Sequence, residues 1–328
     1  MAEIIKRKYL ARGTLYFIDR KEMKDIVKPI FFIGSGRCGS TLIFEIFANH
    51  PQLGWLPKYL EKIPYCPYAT YLVRLYDRVI STDYAKGKYK YLLMKRIIRK
   101  LGIWPGEVWS VWKYYCGNKV VNNYLLNVKA LEQEKEKARS FIEKVLHWEK
   151  KERFLAKITG PGRIGYLSSI FDDCIFIHIV RDGRAVAESF RNFWKDKPHR
   201  GTKPTWEGGD FNKKYKETWE SYKRSPMVLA ALEWKNIIET IREEKAALKP
   251  SQYLEIKYED FVLDPRKCID KICEISKIKN SEKLYRYIDQ EIDLKNMNYK
   301  RFERFSEQEI YILNEILGDS LKELGYAV

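Results

Sequence analysis

A chain of 328 residues, 45% of them hydrophobic, can bury a sizeable core, which excludes wholesale disorder. A formal net charge of +17 and a sequence pI near 9.4 direct it toward anionic partners: nucleotides, sulfated or phosphorylated substrates, nucleic acid or an acidic membrane surface. Cys38, Cys66, Cys116, Cys174, Cys268 and Cys273 form no CxxC pair, which reads as free thiols in a reducing compartment, without a zinc site or disulfide framework.

In chain order, Met1 to Lys28 lacks the apolar core of a signal peptide. Lys28–Ile33 is a short apolar β-type run, and Leu42–Ala48 has helical spacing that ends before Pro51. Between them lies Gly34-Ser35-Gly36-Arg37-Cys38-Gly39-Ser40-Thr41. From about 65 to 151 the chain is rich in Tyr, Trp, Lys and Arg and predicts helices over 69–80, 89–101 and 125–150. Strands follow at 154–158 and 174–180, with a short helix over 162–171 between them and another over 185–193. The stretch 201–226 has no clear period and predicts a functional loop. A helix over 227–248, a strand over 253–258 and a helix from Asp264 to Ile275 come next, with Pro265 suited to the first helical turn. Ser306 and Glu309 have the spacing of a capping box for a last helix. Alternating helices and near-continuous apolar strands predict an α/β fold, a parallel sheet with helices on both faces. Residues 1–328 are expected to form a single domain, with 65–151 a mostly helical insertion on the sheet. No apolar run reaches about 18 residues, so no membrane span is expected, and a soluble cytoplasmic protein is the default.

The glycine loop is the most informative feature. Glycines let the backbone turn tightly, so its N–H groups and the following helix N-terminus converge on anionic oxygens. The strand–loop–helix is P-loop-like, yet a nucleotide triphosphatase has Lys before the last Ser/Thr. Here that position is Ser40, and the cation stands upstream at Arg37. A second constellation follows the strand at 174–180: Arg181 at its end and Ser189 two turns along the next helix. Ligands of open α/β sheets bind at the C-terminal ends of strands, which places Arg181 beside the glycine loop if the strands are neighbours. Either motif alone also reads as an ordinary βα turn.

The pair of motifs resembles the sulfotransferases that use 3′-phosphoadenosine 5′-phosphosulfate (PAPS). Arg37-Cys38-Gly39-Ser40-Thr41 is similar to their 5′-phosphosulfate loop, and Arg181 with Ser189 to their 3′-phosphate site. Asn49-His50-Pro51, Lys257–Phe261 with Asp264-Pro265, and Leu321–Tyr326 also resemble recurrent family elements. The resemblance implies PAPS as sulfonate donor, held by Gly36, Arg37, Cys38, Gly39, Ser40, Thr41, Arg181 and Ser189, with Lys300 and Arg301 as further 3′-phosphate ligands. It implies Arg37 at the leaving oxygen and Lys157 on the transferring sulfonate. No metal is required.

The base is less clear from residues alone. Typical cytosolic members keep a His two residues after the Lys, and here that position is Thr159. Glu61, His147 and His50 are the candidates, with Glu61 preferred because related enzymes keep a catalytic Glu soon after the first helix. The acceptor, a small molecule, glycan or lipid, is expected over walls formed by 65–151 and 201–226. The basic, apolar-flanked stretch from Lys86 to Lys100 reads either as a solvated helix packed on the core or as a peripheral membrane contact. Nucleic acid is not expected as a partner. Two rival classes stay open at this level: a P-loop kinase, which would need Lys at position 40 and a Mg²⁺-holding Asp for which Asp182 is a weak stand-in, and a non-catalytic basic adaptor for polyanions or membranes.

Overall fold

The computed structural model describes residues 25–80, 84–195, 201–204, 213–291, 298 and 302–328. Among the described residues, one sheet of five parallel strands is formed by β1 (Ile30–Gly34), β2 (Leu53–Gly54), β3 (Arg153–Thr159), β4 (Ile175–Val180) and β5 (Tyr253–Lys257). Their order is β2-β3-β1-β4-β5, so β1, the first described strand, is the central one.

Every residue of β1 is buried, because helices cover both faces of the sheet. Strand alternation sorts its side chains. Ile30 and Phe32 pack on one face with Phe44 and Phe47 of α1 (Ser40–Phe47). Phe31 and Ile33 enter the opposite core with Phe154 and Phe176. In β3 and β4 the same parity puts Leu155, Ile175, Ile177 and Ile179 on the α1 face.

The helices between β2 and β3 are α2 (Val73–Ile80), α3 (Tyr84–Lys100), α4 (Trp109–Cys116), α5 (Lys119–Asn122) and α6 (Glu132–Glu149). The helix expected over 69–80 is a 3-10 turn, Pro67–Leu72, followed by α2. The one expected from Leu125 starts later, where Glu134 accepts a hydrogen bond from the Leu131 backbone N–H at 3.0 Å. Next come α7 (Ile164–Ile170), α8 (Gly183–Lys195), α9 (Lys213–Ser221) and α10 (Pro226–Lys245). Helix α9 corrects the loop reading of 201–226; its buried Tyr215 and Trp219, one turn apart, were the legible signal. The chain closes with α11 (Tyr258–Leu263), α12 (Pro265–Ser276), α13 (Glu282–Glu291) and α14 (Glu307–Glu323). The expected capping box is made: Ser306 Oγ accepts from the Glu309 N–H at 3.2 Å, and Glu309 accepts from the Ser306 N–H at 3.0 Å. All six cysteines are free and buried. Among the described residues no helix is long and apolar enough to cross a membrane. The leader reading of the N-terminus lies largely outside the described residues.

From the end of β1 the chain moves toward β2 and β3, and from the end of β4 it moves the other way, to β5. These divergent connections open a crevice at the C-terminal ends of β1 and β4. Phe31 anchors the strand that delivers the chain there, with ring centroids of Phe171 and Phe176 at 5.7 and 5.8 Å. Truncating it removes a fully buried ring, and the surroundings of such a cavity relax only in part. Phe31→Ala is expected to lower the unfolding free energy by about 3–5 kcal/mol, measured by urea denaturation.

Candidate functional site

The glycine loop is fixed by what it must pass. Gly34 has φ 142°, and a Cβ there would lie 2.4 Å from the Ile179 carbonyl oxygen. Arg37 and Gly39 both adopt left-handed backbone, with φ 66° and 92°. A Cβ on Gly39 would lie 2.3 Å from Cδ2 of Tyr258. The loop so curled delivers α1 at Ser40 with no side-chain cap and no acidic residue in its first turn, leaving the helix N-terminus to an external anion. Cys38 is fully buried, and burial pushes its thiol above the ordinary range. It stays a neutral thiol that fills the loop interior rather than an activated nucleophile.

Arg181 follows β4 directly, and its parity continues that of Ile177 and Ile179 toward the α1 face. Its guanidinium donates to the Arg37 carbonyl at 3.2 Å and to Asn298 Oδ1 at 2.8 and 2.7 Å, and lies over the Tyr258 ring at 4.4 Å. Burial lowers its pKa, opposed by Tyr258 and Glu259. Glu259 in turn takes hydrogen bonds from Asn298 and from the Asp182 backbone N–H. Ser189, on α8, accepts from Arg37 Nε at 2.9 Å. Lys157 projects from β3 on the α1 face, where Nζ donates to Thr41 Oγ1 at 2.8 Å and lies 3.4 Å from Glu107 Oε1.

These side chains border one cleft of about 390 Å³, lined by Gly36, Arg37, Gly39, Ser40, Thr41, Lys157, Arg181 and Ser189 together with Leu42, Glu45, Thr159 and Tyr258. The two motifs therefore meet at the crevice between β1 and β4. Three cations face a cleft of this size, which suits it to an anion with more than one charge.

Glu61 is not brought there. It ends a 3-10 turn and its two carboxylate oxygens accept the backbone N–H groups of Trp109 and Ser110, at 3.0 and 3.1 Å, capping α4. His50 is buried, with Nε2 on the Lys279 carbonyl oxygen at 2.8 Å and Nδ1 accepting from the Gln52 N–H at 3.2 Å, and burial lowers its pKa. His147 sits in α6 beside Trp148, outside the cleft lining. Lys300 and Arg301 lie outside the described residues. No described residue of 65–151 or of 201–226 lines the cleft itself.

Sequence reasoning missed four residues of this region. Tyr258, noted only within the Lys257–Phe261 element, lines the cleft under Arg181. Asn298 carried no local pattern. Glu45 stands one helical turn after Thr41, a spacing that could have flagged it. Glu107 comes from the helical insertion: its Oε1 accepts from the Thr159 N–H at 3.1 Å and from the Thr159 hydroxyl, and its Oε2 from Trp109 Nε1 at 3.1 Å. Nothing near it in sequence announces that placement.

A family model described as the sulfotransferase family matches residues 29–282, more than half of the chain. No curated protein sequence matches it. Among solved structures, the sulfotransferase STF9 from Mycobacterium avium superposes with a TM-score of 0.61 at 14% identity, over 96% of this chain and 82% of that one. That likeness is one of fold. A sulfotransferase domain from the curacin biosynthetic pathway (TM-score 0.49, 14% identity, covering 93% of this chain and 100% of that one) and STF1 from Mycobacterium tuberculosis H37Rv (0.48, 12%, 89% and 76%) overlay too loosely to add to it.

Gly39 is the position where this loop tolerates least. Gly39→Ala meets both a left-handed backbone and the Tyr258 ring, and is expected to cost about 1–3 kcal/mol of stability by chemical denaturation. Adding Tyr258→Leu should restore only part of the loss, since the backbone strain remains.

Proposed function

The chain belongs to the sulfotransferase family, and from that premise we propose which of its groups perform the transfer. The enzyme is a sulfotransferase that draws its sulfonate from PAPS and passes it to a hydroxyl or amine of an acceptor. The observation that carries the residue roles is the convergence of Arg37, Lys157, Arg181 and Ser189 on one cleft at the crevice between β1 and β4. Arg37, Ser40, Thr41 and the backbone N–H groups of Gly36, Cys38 and Gly39 hold the 5′-phosphosulfate, with the uncapped α1 N-terminus. Arg181 and Ser189 hold the 3′-phosphate. Arg181 is already oriented by Asn298, so little freedom is lost on binding. The loop thus works as a P-loop-like cradle in which Ser40 supplies a hydroxyl at the position of a kinase's ammonium.

Sulfonate transfer forms an S–O or S–N bond to the acceptor and breaks the S–O bond to the nucleotide phosphate, where negative charge develops. Arg37 and Lys157 stabilise that charge, Lys157 being steadied by Thr41 on one side and Glu107 on the other. The acceptor proton goes to Glu107. Its carboxylate is held on Thr159, the position where the family resemblance implies a base, and its side chain remains 22% exposed. Glu45 is the second carboxylate in reach, because it lines the cleft itself. It is engaged by Trp104 Nε1 at 2.8 Å and by Arg99 at 3.7 Å. Six free buried cysteines are consistent with the reducing cytoplasm as the place of action.

Two measurements test this division of labour. 3′-Phosphoadenosine 5′-phosphate at about 100 times its Kd should stabilise the protein by roughly 2.7 kcal/mol in thermal unfolding. AMP and Mg²⁺-ATP should do far less, and Arg181→Ala should remove the preference for the 3′-phosphate. Glu107→Gln should retain that nucleotide stabilisation and lose about 10²–10⁴-fold in kcat with a poorly acidic hydroxyl acceptor. If Glu45→Gln shows that loss and Glu107→Gln does not, the base is Glu45. Glu61→Gln should instead cost about 1 kcal/mol of stability with kcat kept, since it removes only the cap on α4.

A further inference from the structure

The helical insertion carries a surface that the transfer chemistry does not use. Helix α3 turns several of its apolar residues to solvent. Leu92, Leu93, Ile97 and Leu101, at its end, are 46, 47, 41 and 60% exposed, while Ile98 on the opposite side is buried. Positions 92, 93, 96, 97, 100 and 101 share one half of the helix, so this face interleaves four aliphatic side chains with Arg96 and Lys100. The 17 residues of α3 include five Lys, two Arg and no Asp or Glu. Helix α2, packed against α3, adds exposed Leu75, and the 3-10 turn before it adds exposed Tyr71 and Leu72. A helix serving only as a solvated face would present polar side chains here.

The face is held in a fixed attitude. Arg99 stacks on Trp104 at 3.9 Å, and Lys95 lies over Trp104 and Tyr287 at 5.6 and 5.2 Å. Arg99 also lies 3.7 Å from Glu45, which lines the cleft. The end of α3 therefore abuts the cleft.

We propose that the exposed face of α3, with its α2 neighbour, docks on an anionic lipid bilayer and presents the cleft to acceptors held in that surface. Charge complementarity selects the occupant. The aliphatic side chains enter the acyl boundary while Arg96 and Lys100 remain at the phosphate level, an arrangement that suits a helix lying in the interface. Presenting the acceptor rests on the sulfotransferase site described above; the docking itself does not.

The test is flotation of the full chain with vesicles of phosphatidylcholine alone and of phosphatidylcholine containing phosphatidylglycerol. Binding to the anionic vesicles should be at least about tenfold tighter and should weaken in high salt. Leu93→Ser/Ile97→Ser and Arg96→Gln/Lys100→Gln should each lose most of it, while 3′-phosphoadenosine 5′-phosphate still raises the melting temperature of both variants. No vesicle binding, equal binding to neutral vesicles, or variants that bind as the parent does would overturn the docking proposal. So would a dimer in sedimentation that Leu93→Ser/Ile97→Ser abolishes without any vesicle binding, since the face would then belong to a second copy. Anionic vesicle binding through α3 with no nucleotide stabilisation in any variant would uphold the docking and count against the donor site instead.

Discussion

Strand β1 is buried on both faces at the centre of a parallel sheet, and the placement of every functional group depends on that constraint. A strand so enclosed can carry no charged side chain along its length. Its polar work begins where the strand ends, in the loop at Ser35–Gly39, and the neighbouring strands β3 and β4 bring their cleft cations close to the same edge. Lys157 stands two residues before the end of β3, and Arg181 one residue beyond β4. The hydrophobic cores thus push the cations to one edge, where divergent connections have already opened the crevice.

Gathering three cations in one place raises a cost that the protein meets with partners of different kinds. Arg181 is satisfied by a neutral amide, Asn298, and by the face of Tyr258, while Glu259 stands behind Asn298. Arg37 donates to a hydroxyl, Ser189, and lies 5.7 Å over the Phe193 ring. Among the described residues, neither guanidinium is neutralised by a direct carboxylate in the cleft, which preserves its attraction for an anion. Lys157 differs, being paired with Glu107. That pairing ties the insertion to the sheet beside the cleft and keeps a carboxylate next to the cation.

The insertion is thereby more than a cover. It supplies Glu107 to the cleft side, buries Trp104 against Glu45, and turns an aliphatic and basic face outward on α3. Glu61, from the 3-10 turn that follows β2, holds the first N–H groups of α4 in the same block. Two carboxylates separated by fewer than fifty residues thus do different jobs, and their hydrogen-bond partners decide which: Glu61 meets backbone N–H groups of a helix start, whereas Glu107 meets Thr159 and, beside it, Lys157.

The sequence by itself determined the sheet strands that matter, the glycine loop, and both cationic motifs. These features are local: strand burial, tight turns and helix starts are written in consecutive residues whose period and sterics can be read directly. Arg37, Arg181 and Ser189 were legible for that reason, whereas Lys157 was implied only by the family resemblance. Only tertiary structure decided that Tyr258 lines the cleft, that Asn298 orients Arg181, and that Glu107 rather than Glu61 lies beside Lys157. Each of those contacts joins residues far apart in the chain, 117 positions in the case of Arg181 and Asn298. No periodicity encodes which carboxylate of an insertion will reach a strand end. That choice is made by how α4 and its preceding loop pack on the sheet, and it exists only once the chain has folded.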